Sequence, residues 1–363
     1  MVPASKKTTK TMKVYIWGYL HQCGGAGPET GHAIELFRDN GVDVVCVVPN
    51  GTDVLSASEP RRSYMDSLGV STEAYSPGMF NDQNVWCWCE DGLFDYLAKY
   101  EETPRRVVYW PCMNVVRDKE LIGMARVKNL RVLCQSQYQF GQIQNKLNEV
   151  SLSVDMAHVS PFFNLNSKWG EFRFSDKPLD RLNVMRIGRD NEPFKYPRDM
   201  WDLFYKVTTP SGVTPRLTVI GWGEEGEKLL GNVCSDTHPY HGKINAEVIP
   251  HVYNPRELAN YFRDSHAQLM FYPFHENAPR AMFEAMACGS VIVGASHGGI
   301  PEFIRDQETG FLVSSNDEAS HRLSQLAFNP SKARRMADQA LDSMKKGISC
   351  PKCAFARFSK EFQ

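Results

Sequence analysis

Two glutamates bracket the start of a predicted helix in the run Phe274-His275-Glu276-Asn277-Ala278-Pro279-Arg280-Ala281-Met282-Phe283-Glu284-Ala285-Met286-Ala287-Cys288-Gly289. Glu276 falls in a loop that follows a predicted strand, and Glu284 falls within the helix that begins near Pro279. A helix start carries partial positive charge and N–H donors without intrahelical partners, so that loop favours an anion. Two carboxylates beside such an end suit a phosphorylated sugar. Its phosphates would face the dipole, and its hydroxyls would be held by the carboxylates.

The elements that position these residues alternate along the chain. Val14–Trp17, Val42–Val48, Val85–Trp88, Arg106–Trp110, Val132–Cys134 and Met156–Val159 read as strands. A glycine cluster, Gly24-Gly25-Ala26-Gly27, precedes a predicted helix from Glu29 to Asn40, with Ala33, Leu36 and Phe37 on one face. The pattern breaks around 161–180 in a proline- and asparagine-rich stretch, then resumes. Leu182–Ile187, Leu217–Ile220, Leu269–Tyr272 and Val291–Val293 read as strands. Arg198–Val207, Pro279–Cys288 and Ser331–Lys346 read as helices, and Asn254-Pro255 reads as a helix start. This βα repeat predicts an α/β protein with two Rossmann-like domains, each a doubly wound parallel sheet, facing each other across a cleft.

The motifs around that repeat resemble the retaining glycosyltransferases of family four, which have the GT-B fold. The spacing of Glu276 and Glu284, then Ala285-Met286-Ala287 before Gly289, His297-Gly298-Gly299-Ile300-Pro301-Glu302 and Glu308-Thr309-Gly310-Phe311-Leu312-Val313, carry the resemblance. Ile187-Gly188-Arg189 with Lys195, Val219-Ile220-Gly221-Trp222-Gly223 and the 24–27 glycine cluster extend it. It is specific over 180–315 and mainly topological over 13–160. The resemblance implies a nucleotide-diphosphate sugar, a UDP-sugar first, as donor substrate, with no further cofactor and no metal. It implies that Arg189 and Lys195 neutralise the diphosphate, that Glu276 fixes hydroxyls of the transferred sugar, and that Glu284 bonds the ribose. Gly24, Gly25, Gly27, Gly188, Gly223, Asn277 and Ala278 would line the donor. The implied organisation is a disordered tail over 1–12, an acceptor domain over 13–165, a donor domain over 175–335, and a helix and tail over 336–363 that packs back on the first domain.

Family members often place a histidine in the first domain, and neither Trp86-Cys87-Trp88-Cys89-Glu90-Asp91 nor Tyr109-Trp110-Pro111-Cys112-Met113-Asn114 contains one. Glu90, Asp91, Asn114 and His21 are the candidates for the acceptor side. Cys87 and Cys89 read as core residues on one strand face. A weaker likeness of the 188–205 stretch to phage DNA-base glucosyltransferases admits a hydroxymethylated DNA base as acceptor, with Trp86, Trp88, Tyr109 and Trp110 as stacking surfaces. A small carbohydrate or glycan is the alternative acceptor. A sugar-nucleotide epimerase and a non-catalytic nucleotide-sugar binder are the alternative functions.

The whole chain bounds these readings. Its 363 residues suffice for two domains, and its apolar content of 42% suffices for two cores. A net charge of −1 argues against affinity through a strongly basic surface, although basic residues outnumber acidic ones from Ser331 to Gln363. No apolar run is long enough to span a bilayer, and residues 1–12 lack the apolar segment of a secretory signal. The ten cysteines are scattered, so reduced thiols in the cytoplasm, host cytoplasm for a viral protein, are expected. Cys350-Pro351-Lys352-Cys353 is a lone CxxC, too few ligands for a tetrahedral zinc site.

Overall fold

The computed structural model describes residues 12–18, 26–48, 67–111, 113–165, 169, 172–189, 195–196, 199–252 and 254–362. The chain forms two compact units. One comprises Met1–Cys134, Ile143–Val159 and Pro351–Gln363, the other Gln135–Gln142 and Ser160–Cys350.

The first unit is built on seven parallel strands: β1 (Lys13–Gly18), β2 (Asp43–Val48), β3 (Ser71–Ala74), β4 (Asn84–Trp88), β5 (Arg106–Trp110), β6 (Leu130–Cys134) and β7 (Asp155–His158). They lie in the order β3-β2-β1-β4-β5-β6-β7. The second unit has six: β8 (Arg181–Ile187), β9 (Thr214–Ile220), β10 (Ala246–Ile249), β11 (Ala267–Met270), β12 (Val291–Ala295) and β13 (Gly310–Val313), ordered β10-β9-β8-β11-β12-β13. Every strand pairing is parallel. Parallel strands covered by helices on both faces are apolar throughout, which is why runs such as Asp43–Val48 and Val291–Ala295 are so rich in valine. In each sheet the connections reverse direction once, between β1 and β4 and between β8 and β11. Ligands of doubly wound sheets collect outside the carboxyl ends of the strands at that reversal.

The first unit carries an aromatic stack. Trp88 and Trp110 face each other in register across β4 and β5, with ring centroids 4.4 Å apart and planes 8° from parallel. Trp86 stacks on both. Phe358 and Phe362, from the helix Pro351–Ser359 and the turn after it, close the cluster against Phe37. Glu361 is buried beside them and paired with Arg131. The expectation that Trp86, Trp88, Tyr109 and Trp110 offer stacking surfaces is therefore corrected. They are 1%, 2%, 0% and 0% exposed; the three indoles pack on one another and on the C-terminal phenylalanines, and Tyr109 packs on Phe94.

Cys87 is buried in β4, as its strand position predicts. Cys89 departs from the expectation of a core thiol on the same face. It follows the strand end with a left-handed φ of 58° and is disulfide-bonded. The predicted helix start at Asn254 is present, with its side chain accepting the Arg256 N–H. No helix among the described residues is long and apolar enough to cross a membrane.

Two buried polar side chains pin the second unit. Lys177 is 5% exposed, and its ammonium donates to the carbonyls of Arg263 at 2.7 Å, Cys288 at 2.8 Å and Phe262 at 3.4 Å. These carbonyls end the helices Pro255–Asp264 and Arg280–Ala287, where a cation complements the dipole. His266 is 2% exposed. Its Nδ1 accepts the Asn183 N–H at 3.1 Å and its Nε2 donates to the Pro178 carbonyl at 2.7 Å, so both nitrogens are committed in the neutral ring.

Burial lowers the His266 imidazole to about 4, while the Pro178 bond opposes the shift. An unfolded histidine titrates near ~6.5. The folded ring thus resists a proton that the unfolded ring accepts. Its contribution is complete above about pH 6.5 and is lost as pH falls toward 4, on the order of 3 kcal/mol in all. Urea unfolding of wild type and His266→Gln between pH 7 and pH 4 should show the wild-type advantage shrinking across that window. A constant difference would rule out His266 as the source.

Candidate active site

The site is assembled at the reversal point of the second sheet. Four segments leave the carboxyl ends of its central strands there: 188–189 with 195–196 after β8, 221–223 after β9, 271–279 after β11 and 296–299 after β12. They pack main chain on main chain. A Cβ built on Gly221, whose φ is +83°, would lie 1.9 Å from the Gly188 carbonyl oxygen. One on Gly299 would lie 2.0 Å from the Asn277 oxygen, and one on Gly298, φ +71°, 2.6 Å from the Glu276 oxygen. The Gly299 N–H donates to the Glu276 carbonyl at 2.7 Å. Only glycine allows this approach.

A buried cation organises the β8 end. Arg186 is fully buried, its guanidinium 4.0 Å from the Tyr196 ring centroid and 5.5 Å from that of Tyr272, and it donates to the Lys195 carbonyl. Flat guanidinium on aromatic faces is a favourable way to hold a desolvated charge. Tyr196 in turn donates to the Gly221 carbonyl at 2.9 Å. Arg186 thereby fixes the backbone that presents Lys195.

The Lys195 ammonium lies 2.9 Å from Glu276 Oε1, with side chains 21% and 15% exposed. Arg189, just past Gly188, is exposed. Asn277 and Ala278 are buried in the same loop. Glu284 lies inside the helix Arg280–Ala287, its Oε1 3.3 Å from Arg280 Nε one turn earlier. Burial pushes the Glu284 carboxyl up to about 7, and the Arg280 guanidinium pulls against that. Arg280 also lies over the Phe163 ring, 4.9 Å from its centroid. Beside Glu276, His275 and His297 have ring centroids 4.3 Å apart, and the Tyr138 hydroxyl is 2.6 Å from His275 Nδ1. Burial lowers the His297 imidazole, and the charge of His275 adds to that. Glu302 accepts the N–H groups of Gln137 and Tyr138 at 2.7 and 2.8 Å, capping the helix Gln137–Glu149.

The structure thus brings Gly188, Arg189, Lys195, Glu276, Asn277 and Ala278 to one set of strand ends, and places Glu284 buried in the helix that follows. Gly223 precedes the helix Glu224–Leu230, whose first turn is acidic and satisfies its own dipole. The glycine that makes the close approach is Gly221. Gly27 lies buried in the first turn of the helix Ala26–Asp39 rather than in the loop before it. His21, Gly24 and Gly25 lie outside the described residues. Glu90, Asp91 and Asn114 belong to the first unit. Asp91 is engaged there by Arg117 at 3.1 Å and Lys119 at 3.8 Å. The sequence reading missed Arg186, Arg280 and His297. Arg280 had a local signal, standing one helical turn before Glu284, and His297 opens a motif that carries the resemblance without having been given a role.

Glycine-to-alanine changes should separate packing from helix propensity. Gly299→Ala forces a Cβ into the Asn277 carbonyl and should cost about 1–3 kcal/mol, as overpacking does. Gly141→Ala, with open space around its Cβ in the helix Gln137–Glu149, should be neutral or stabilise by up to about 1 kcal/mol. Equal effects in urea unfolding would contradict the backbone packing described above.

Residues 168–342 match the family model described as glycosyl transferases group 1. The D-inositol 3-phosphate glycosyltransferase of Streptomyces scabiei (strain 87.22) is 35% identical over 86 residues, which are 23% of this chain and 19% of that protein. The match therefore spans about a fifth of that relative's length. Among solved structures, HepE of Anabaena in complex with UDP superposes with a TM-score of 0.69 at 13% identity, over 96% of this chain and 99% of that one. A TarM variant of S. aureus, solved with Fondaparinux, alpha-GlcNAc-glycerol and UDP, gives 0.70 at 12% identity, over 97% and 100%. Sheet order, strand-end motifs and family match agree: residues 168–342 are a domain of the glycosyl transferases group 1 family, in a chain with the GT-B glycosyltransferase fold.

Proposed function

We propose that the chain transfers a sugar, with retention, from a nucleotide-diphosphate sugar to an acceptor hydroxyl, and that the donor is a UDP-sugar. The observation that carries this reading is the Lys195–Glu276 pair at the strand reversal, with exposed Arg189 following Gly188 at the end of β8. The arrangement offers cations to a diphosphate and a carboxylate to sugar hydroxyls on adjoining loops. The UDP and UDP-glucose held by the HepE structures support uridine as the base.

In the reaction we infer, the bond between the anomeric carbon and the diphosphate oxygen breaks as the acceptor oxygen bonds that carbon from the same side. The acceptor proton passes to the departing diphosphate oxygen. Charge gathers on the diphosphate in the transition state, where Arg189 and Lys195 stabilise it, and no covalent enzyme intermediate is needed. Glu276 holds Lys195 before the donor arrives and exchanges that partner for sugar hydroxyls afterwards. Glu284 takes the ribose hydroxyls.

For the acceptor we favour a small carbohydrate or polyol over a hydroxymethylated DNA base. The aromatic residues that would have stacked on a base are packed in the core of the first unit. The D-inositol 3-phosphate named for the Streptomyces relatives belongs to the favoured class.

Thermal unfolding with UDP, GDP, ADP and CMP tests the donor. A nucleotide at 100 times its dissociation constant adds about 2.7 kcal/mol to the folded state, or several degrees in midpoint. UDP should produce that shift, and Glu284→Gln should reduce it. No shift from any of the four would remove the transferase reading in favour of a domain that has lost its ligand. Arg189→Ala should lower turnover of a UDP-sugar by about two orders of magnitude, the usual effect of removing a group that stabilises transition-state charge. Near-normal turnover would show that the diphosphate lies elsewhere. An acceptor panel of sugars, polyols and hydroxymethylated DNA decides between the acceptor classes.

A further inference from the structure

The Cys350-Pro351-Lys352-Cys353 motif plays no part in the site above, yet the fold gives it a particular setting. The helix Pro351–Ser359 has nine residues. Cys350 stands immediately before it, and Cys353 is in its first turn. Proline at the first helical position fixes that start. Positions three apart at a helix start are side-chain neighbours, with Cβ atoms about 5–6 Å apart against the roughly 3.5–4.5 Å of a disulfide, so a small local adjustment closes the bond. Cys350 stands just outside the helix proper, where helical geometry does not fix it. A thiolate at a helix N-terminus is stabilised by the N–H donors and the dipole there, and by nearby cations. Lys352 lies between the two cysteines and Arg357 one turn beyond Cys353.

Access and anchoring complete the picture. Cys353 is exposed and Cys350 half-buried, and both are thiols in this structure. The strand of chain before them is held firmly. The Ser349 N–H donates to the Met344 carbonyl at 2.8 Å, the Phe163 N–H to the Ile348 carbonyl at 3.2 Å, and the Cys350 N–H to the Gly347 carbonyl at 3.3 Å. The far side of the helix is fixed by Ala354 and Phe358, both buried. The pair is therefore held close by ordered backbone on both sides, with one sulfur facing solvent. Among the described residues, no group of three or more His, Cys, Asp or Glu side chains is placed to bind a metal.

We propose that Cys350 and Cys353 are a redox-active dithiol that low-molecular-weight disulfides such as glutathione disulfide oxidise to an intramolecular disulfide. The exposed Cys353 thiolate attacks the external disulfide, forms a mixed disulfide and releases one thiol. The Cys350 thiolate then attacks the Cys353 sulfur and releases the second thiol. The protein loses two protons and two electrons, and one external disulfide becomes two thiols. The proposal is independent of sugar transfer. The pair lies where the chain passes from the second compact unit to the first, so oxidation closes a covalent ring around the first turn of the helix that completes the aromatic stack.

The sequence supplies a convenient readout. Trypsin cleaves after Lys346, Lys352 and Arg357, so the two cysteines fall in separate peptides, 347–352 and 353–357. The full chain would be equilibrated with glutathione and glutathione disulfide over a range of ratios, quenched in acid, alkylated and digested. Mass spectrometry should find the two peptides joined, two hydrogens lighter than their sum, in a fraction that rises with a single two-electron midpoint. In Cys350→Ser, Cys353 should accumulate bound glutathione. In Cys353→Ser, the half-buried Cys350 should do so at least tenfold more slowly. Joined peptides establish the dithiol. Separate glutathione adducts on both cysteines of the wild type, or unmodified thiols in pure glutathione disulfide, would overturn it. Circular dichroism of each variant shows whether it is folded.

Discussion

Main chain lies directly against main chain at the carboxyl ends of β8, β9, β11 and β12, and the second unit is arranged around that contact. Four loops converge there on one point. Side chains would keep them apart. Glycine at 188, 221, 298 and 299 removes the obstruction, and the hydrogen bond from Gly299 to Glu276 fixes the result. The charged side chains are then carried on a scaffold that cannot shift without breaking backbone contacts.

Charge is handled in pairs across this scaffold. Arg186, with no solvent, is accommodated by two aromatic faces and a carbonyl. Arg280 and Glu284 neutralise each other one helical turn apart. Lys195 and Glu276 meet between two loops and remain partly open to water. Only the last pair can be separated cheaply, because a partly hydrated ion pair gives up little when it is broken. The pair to which the proposed transfer assigns its chemistry is thus the one least costly to rearrange.

Much of this was readable in the chain. Valine-rich runs gave away the central strands, since burial on both faces leaves no room for polar alternation. The strand Ser71–Ala74 was not readable: all four of its residues are exposed and it lies at the sheet edge. Polar helices such as Gln137–Glu149 bury few residues, so their periodicity is faint. Among site residues, Glu276 and Glu284 stood out by their placement around a helix start, and Lys195 only through the family resemblance. Arg186 did not, because its role depends on Tyr196 and Tyr272, which reach it only through tertiary folding. Gly221 and Gly223 looked alike in sequence, and only the position of the Gly188 carbonyl distinguishes them. The aromatic cluster of β4 and β5 invited a surface role, and the C-terminal phenylalanines that bury it lie far along the chain.

The Lys177 ammonium faces three carbonyls from two helix ends, one for each of its protons. A guanidinium has the same charge but spreads its donors in a flat fork, and that shape does not match a tripod of acceptors. The site therefore selects its cation by shape as well as by sign. Exchange of lysine for arginine, tolerated on most of the protein's exterior, is closed off here.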